Sequence, residues 1–283
     1  MTEVSQGDQL IGALGVRAAT LEAVGHWNAT TPNGRLHAMT AAGLLGRITS
    51  QSSFIPTPIE LAYCGHVVRH GVPVRMTDFV QSLDPSPWQC PILLLIGTSM
   101  SSGKTTSARV IIRRLKRMGL RVAGAKLTGA GRYRDILAMR DAGADTIHDF
   151  VDVGLPSTVC DSNEYRDSLR QLLARIALSQ PDVLVAEAGA SPLEPYNGDV
   201  AIETIRDSVR CTVLCASDPY AVVGVTQGFG FDPDLVAGVA TSTSAGVDVI
   251  RHLCHRPALN LTDIRSHREL DQLLIERLLL KTQ

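Results

Sequence analysis

The 283-residue chain has six cysteines but no CxxC pair. A chain this long can bury its own core without disulfide staples, so the scattered thiols read as reduced. His252-Leu253-Cys254-His255 offers zinc-ligand types, but no second pair stands elsewhere to complete a tetrahedral site. Cys211 and Cys215 fall in the apolar run CTVLCA, where alternation puts both on one face of a strand as packing residues. No apolar run approaches the length that spans a bilayer, and the opening MTEVSQGDQL lacks a basic segment followed by an apolar stretch, so a cytoplasmic protein is expected. Charge of one sign is also missing: 27 Lys and Arg stand against 28 Asp and Glu, a net charge of −1. That balance gives no electrostatic footprint for nucleic acid or an acidic membrane and fits a small, anionic ligand better. The most basic stretch, residues 109–121, carries Ile111, Ile112, Leu115 and Leu120 at helical spacing, which assigns its charges to a solvated face. No repeat or low-complexity tract occurs, and no Ser-His-Asp arrangement is evident.

What the chain does have is an ordinary globular balance, 45% hydrophobic and 19% charged, and two differently patterned parts. The break lies at Asp84-Pro85-Ser86-Pro87-Trp88, where two prolines punctuate a polar stretch. The expected domains are therefore residues 1–86 and 87–283. Upstream, residues 36–50 and 59–80 read as short extended segments with a turn at His70-Gly71, giving a small mixed or mainly β domain. Downstream, an apolar run, a turn and a helical pattern alternate. PILLLIG, ending at Gly97, is apolar on both faces, as a buried parallel strand is. A helix is predicted from Lys104 to Met118 with Gly119 as its C-terminal cap, followed by a strand in RVAGAKLTG. Further strands are predicted in residues 181–189, 211–217 and 234–241, with an amphipathic helix over 164–179. This is the grammar of an α/β, doubly wound, mostly parallel sheet.

The strongest motif joins the first of these strands to its helix: Gly97-Thr98-Ser99-Met100-Ser101-Ser102-Gly103-Lys104-Thr105-Thr106. A phosphate loop needs glycines so that backbone N–H groups can close around an oxyanion, a lysine to reach the outer phosphates, and a hydroxyl for Mg2+. Gly97, Ser101, Ser102, Gly103, Lys104, Thr105 and Thr106 supply these. A chance glycine-lysine-threonine at a helix start is common, but the buried strand before it and the helix after it are the context the motif requires. The first glycine stands one residue further from the GKT than in the common form. Two later strand ends carry charge: Lys126 in AKLTG and Glu187 in VAEAGA, each placed against apolar neighbours where an isolated ion is costly. A snorkelling lysine and a surface carboxylate are the plain alternatives.

The lengthened loop resembles that of the dethiobiotin synthetases and their relatives among the cobyrinate amidases and the cell-division-positioning, MinD-like ATPases, whose loops read like GTDTxVGKT. AKLTG is similar to the KPVxTG of dethiobiotin synthetases, and VAEAGA to their VEGAGG. The resemblance covers most of the chain from residue 91 onward. It implies a P-loop NTPase fold, ATP and Mg2+ as cofactors, Lys104 and Lys126 on phosphate and substrate, Glu187 with Thr105 on the metal, and a homodimer. Asp135 stands close to where those enzymes have a further Mg2+ carboxylate; Asp141 and Asp145, four apart, look like one solvated helix face. Tyr196 and Asn197, in the loop after the Glu187 strand, are candidates for substrate contact or turn-shaping residues. Ser217-Asp218-Pro219-Tyr220 ends a strand near the expected base site, and the absence of an NKxD-like element favours ATP over GTP. Ser99 and Ser101 replace acidic residues of the dethiobiotin synthetase loop, and the first domain has no counterpart in a minimal enzyme of that type. The arrangement also looks like that of P-loop proteins with an added N-terminal domain, some of them associated with amino-acid N-acylation.

Three functions follow. The first is an ATP- and Mg2+-dependent, ligase-like enzyme activating a small carboxylate- or amine-bearing metabolite by phosphoryl transfer, with Lys104, Lys126 and Glu187 in catalysis. The second is a nucleotide-gated switch or delivery ATPase, against which Thr98 and Ser99 stand where such proteins often carry an extra lysine. The third is an N-acyltransferase that reuses the loop for coenzyme A phosphates.

Overall fold

The computed structural model describes residues 4–29, 34–84, 88–189 and 191–279. Pro85, Ser86 and Pro87 of the expected domain break, and Ala190 at the end of VAEAGA, lie outside them. Short strands fill the N-terminal part: β1 (Ala13–Leu14), β2 (Val16–Ala18), β3 (Ala23–His26), β4 (Arg35–Ala38), β5 (Leu44–Gln51) and β6 (Glu60–Ala62). Their order is β2-β3-β5-β4-β6, antiparallel throughout, with β1 added parallel to β5. A two-stranded hairpin, β7 (Val68–Arg69) and β8 (Val72–Pro73), follows. His70 and Gly71 both have positive φ, 52° and 79°, which is the backbone a two-residue hairpin of the primed type demands.

The rest of the chain winds around one parallel sheet. Its elements are β9 (Ile92–Gly97), α1 (Lys104–Arg117), β10 (Val122–Thr128), α2 (Tyr133–Asp141), β11 (Thr146–Asp149), α3 (Ser162–Ala177), β12 (Val183–Ala188), α4 (Gly198–Ile205), β13 (Val209–Cys215), α5 (Pro219–Phe229), β14 (Leu235–Ala237), α6 (Ser244–Cys254) and α7 (His267–Leu274). The strand order is β11-β10-β12-β9-β13-β14, every pair parallel. Among the described residues no helix is long and apolar enough to cross a membrane.

Side-chain alternation explains why such apolar strands belong here. Ile92, Leu94 and Ile96 of β9 enter one core with Leu184 and Ala186 of β12 and with Leu169, Leu172 and Ile176 of α3. Leu93 and Leu95 point the other way, into a second core with Ile111, Ile112 and Leu115 of α1 and Leu270 and Leu274 of α7. Each strand is thus coated on both faces, as a buried parallel strand must be. Cys211 and Cys215 share the second core.

Two sequence readings are revised. Residues 234–241 give only the three-residue β14 before a 3-10 turn at Val239–Thr241, because Gly238 breaks the extended run. Asp141 and Asp145 do not share a helix face: α2 stops at Asp141, and Asp145 lies beyond Gly143, where it holds Lys116 at 2.7 Å and accepts from the Val122 N–H at 2.7 Å. Much of the basic stretch is tied down in the same way, Arg114 by Asp271 and Arg121 by Asp182.

The turn after β14 is also a structural stop for the phosphate loop. Gly238 has φ 89° and ψ −154°, a region in effect reserved for glycine. A Cβ at Gly238 would lie 2.1 Å from the Ser102 carbonyl oxygen, and one at Gly103 2.9 Å from the Gly238 Cα. Gly238→Ala combines backbone strain with this clash and is expected to cost about 3 kcal/mol or more of stability. Urea unfolding of the variant beside the wild-type protein measures that loss.

Candidate nucleotide site

The carboxyl ends of β9, β10 and β12 converge on one edge of the sheet, the place where open α/β folds bind ligands. β9 delivers Gly97 to the loop, which turns through Ser101 and Gly103, with φ of 60° and 103°, and enters α1 at Lys104. Gly103, as N-cap, offers no side chain to the first N–H groups of α1. Those donors and the positive end of the helix dipole therefore face the loop's interior, ready for an oxyanion. The Lys104 ammonium folds back to donate to the Ser99 carbonyl at 2.9 Å, and the Ser102 hydroxyl is buried without a hydrogen-bond partner.

Register places the other charges. Lys126 of β10 pairs with Glu187 of β12 on one side and with Asp149 of β11 on the other, so three ionisable residues stand abreast at the sheet edge. Lys104, Lys126 and Glu187 are 7%, 6% and 3% exposed. Burial pushes the Glu187 carboxyl above the ordinary range, while the fields of Lys104 and Lys126 and a hydrogen bond from Thr105 pull it back down. Its Oε2 has no hydrogen-bond partner. Asp135, in the first turn of α2, reaches Lys126 at 2.5 Å, a strong charge-assisted contact.

A cavity of about 400 Å3 opens over this edge. Its floor includes Gly103, Lys104, Thr105 and Thr106, its far side Lys126, Asp135, Glu187 and Gly189, and its roof Arg17, Ala19 and Thr40 of the N-terminal sheet. Ser101 lines it as well, whereas Gly97 does not. Tyr196 joins roof to wall: its buried hydroxyl accepts from the Ala18 N–H at 2.9 Å. The next residue turns away. Asn197 donates to the carbonyls of Thr158 and Cys160 at 2.8 and 3.1 Å and accepts from Ser162 at 2.9 Å, so its side chain is occupied in fixing the loop rather than lining the cavity. Ser217-Asp218-Pro219-Tyr220 forms the start of α5, with Asp218 accepting from the N–H groups of Tyr220 and Ala221.

The donor set fits the group the loop implies. Unpartnered Glu187 Oε2 and the Thr105 hydroxyl beside it are the hard oxygen donors that Mg2+ takes when phosphates and water complete its shell. Among the described residues no three His, Cys, Asp or Glu cluster as an all-protein metal cage. Asp135 reaches the same cavity with its carboxylate already engaged by Lys126.

The strand order and the glycine-lysine-threonine loop between β9 and α1 make the fold that of a P-loop NTPase. No protein-family profile and no curated protein matches the chain. Among solved structures, chloroplast FtsY from Physcomitrella patens is 13% identical over 72% of this chain and 70% of its own, with a TM-score of 0.42. HypB from Helicobacter pylori, in complex with nickel, is 16% identical over 69% of this chain and 89% of its own, with a TM-score of 0.44. The signal recognition particle protein of Aeropyrum pernix, in complex with GDP, is 16% identical over 70% of this chain and 50% of its own, at 0.42.

Several cavity residues carry no signal that sequence reading can use alone. Arg17 and Thr40 arrive from short strands and turns more than 60 residues before Lys104. Arg132 and Arg134 flank Tyr133 directly after the AKLTG strand, a position that could have marked them, and Arg109, assigned to a solvated face, lines the cavity too. Asp149, beside Lys126 in the sheet register though not lining the cavity, is a further omission. It ends β11 at 3% exposure, and burial, with Asp152 adding to it, raises its pKa to about 6. A proton bound more tightly in the folded chain than in the unfolded one favours folding below the ordinary carboxylate pKa, and that contribution is lost as pH rises through about 6. Asp149→Asn keeps an oxygen to accept from Val151 N–H. It is expected to be about 2 kcal/mol more stable than wild type at pH 8, an advantage that vanishes near pH 4, in denaturant unfolding across that range.

Proposed function

We propose that this protein binds a magnesium nucleoside triphosphate on residues 97–106 and uses it to activate a small metabolite in the adjoining cavity. The observation that carries the reading is that the cavity does not stop at the phosphate loop. It continues past Glu187 to the buried Lys126 and is roofed by residues of the N-terminal sheet, which a protein that only holds nucleotide has no need to build. Magnesium nucleotide, when bound, supplies the phosphoryl group and charge neutralisation at the outer phosphates. Lys104 and the N–H groups at the start of α1 hold those phosphates. Thr105 and Glu187 would hold the metal, and Lys126, oriented by Asp135, stabilises charge on the substrate oxygen. The likeness of AKLTG and VAEAGA to the strand ends of dethiobiotin synthetases supports the same division of labour. ATP is the first nucleotide to test, because Asp218, the acid at the end of β13, is committed to capping α5.

One observation favours a second reading, a nucleotide-gated switch. The loop after Glu187 grips the N-terminal part through Tyr196 with Ala18 and through Glu194 with Thr20, so a shift at Glu187 has a path to the N-terminal sheet. Turnover separates the two. ATP and GTP consumption with Mg2+ is measured against amino acids, diamines and small carboxylates, for wild type beside Lys104→Ala and Glu187→Gln. The enzyme reading predicts one metabolite that raises consumption at least about tenfold and two variants that lose nearly all of it. Nucleotide binding without metabolite-dependent turnover supports the switch, and binding of coenzyme A in place of either nucleotide refutes both.

A further inference from the structure

The cavity contains more positive charge than a triphosphate site explains, and the surplus has an address. Lys126 is matched by Asp135. Arg17 is held by Glu22 and by the Met39 carbonyl, the latter at 2.6 Å. Lys104 belongs to the phosphate loop, and Arg109 to the helix that follows it. That leaves Arg132 and Arg134, which line the same cavity on the β10–α2 connection and make no salt bridge or side-chain hydrogen bond among the described residues. Every other basic side chain of the cavity is paired or sits on the nucleotide-binding element.

Their position, exposed on the cavity wall, leaves both free to take an incoming anion. Arg132 is the N-cap of α2 and Arg134 lies in its first turn, where the helix dipole repels cations. Asp135, the nearest carboxylate in sequence, is spent on Lys126. Two guanidinium groups placed at the positive end of a helix, on the wall of a cavity and without a counter-ion from the chain, form a receptor for a planar anion, which arginine binds through paired N–H donors. Sequence and register put this receptor beyond Lys126, on the β10 side of Glu187, whereas the phosphate loop lies on the β9 side.

We propose that Arg132 and Arg134 bind a second anionic group of the substrate, at the end remote from the atom that faces Lys126, so that the preferred metabolite carries two anionic groups, as a dicarboxylate or, its ammonium aside, an acidic amino acid does. This inference rests on the functional reading above for the role of Lys126, but it concerns binding and can be tested apart from turnover. The arginines, and not the cavity's size, then select the substrate, since a neutral amide of the same shape leaves both guanidinium groups unmatched.

The test is calorimetric titration of the full chain with acid and amide pairs of equal size: succinate with succinamate, aspartate with asparagine, glutamate with glutamine, each with and without a non-hydrolysable ATP analogue and Mg2+. At least one acid is expected to bind about tenfold or more tightly than its amide. Arg132→Gln and Arg134→Gln are expected to bring that ratio close to one, and Arg132→Lys and Arg134→Lys to restore part of it. Both arginines are exposed, so these variants are expected to melt like wild type. Equal binding of acid and amide, binding of neither, or an unchanged ratio in both glutamine variants overturns the assignment. Loss of affinity for the ATP analogue with no change in the ratio overturns it as well, by giving the arginines to the triphosphate. An acid that binds with the expected ratio while no nucleotide is consumed leaves this inference standing and removes the activation chemistry. Nucleotide consumption driven by a metabolite with one anionic group or none does the reverse.

Discussion

Lys104, Glu187, Lys126 and Asp135 are held where water is largely excluded, and the chain can keep them there because each offsets the cost of another. A lone carboxylate at the Glu187 position would be pushed toward its neutral form by burial. The two lysines oppose that push from the loop on one side and from β10 on the other, while Asp135 repays Lys126 at 2.5 Å. Remove one member and the remaining charges are buried without compensation, a much larger penalty than the loss of a surface pair. The same arrangement leaves one oxygen of Glu187 unsatisfied, and a native structure rarely tolerates that unless a ligand completes it.

This cluster depends on the parallel sheet. A strand coated on both faces can expose reactive groups only at its ends, and in a parallel sheet all the carboxyl ends lie at one edge. Apolar alternation in β9, β10 and β12 therefore does two jobs. It builds the two cores, and by burying every residue up to the strand end it forces Lys126 and Glu187 to the boundary between core and cavity. The phosphate loop needs a further constraint. Its backbone turns at Gly103 against Gly238, a contact close enough that neither position has room for a side chain.

What was legible in the sequence follows from range. The loop, its strand and α1 are specified by neighbouring residues, so the motif and the helix end at Gly119 could be read directly. Alternating apolar runs likewise disclosed β10, β12 and β13. Residues whose role depends on distant partners could not be read in this way. Tyr196 and Asn197 are adjacent in one loop, yet Tyr196 turns toward Ala18 in another sheet, whereas Asn197, in a left-handed conformation with φ 57°, turns back to Thr158 and Cys160. Arg17 reaches the cavity through strands of two to four residues, too short to show a period. Arg109 has the spacing of a solvated helix face, and only the placement of the N-terminal sheet turns that face into a cavity wall.

The N-terminal sheet changes the chemistry available at the edge. An open sheet edge is flooded by water, and water screens the charges on which positioning and transition-state stabilisation rely. A roof carrying Ala19 and Thr40 beside the neutralised Arg17 covers part of this edge without adding net charge of its own. The charge inside the cavity is therefore set by the elements of the parallel sheet, and Arg132 and Arg134 are among its basic groups without a salt bridge among the described residues. The Tyr196 hydroxyl, by satisfying the Ala18 N–H, fixes that roof to the loop that follows Glu187. The N-terminal sheet over the cavity is thus tied to the loop that follows the strand carrying its buried carboxylate, so that a shift of the roof is felt beside the charge cluster.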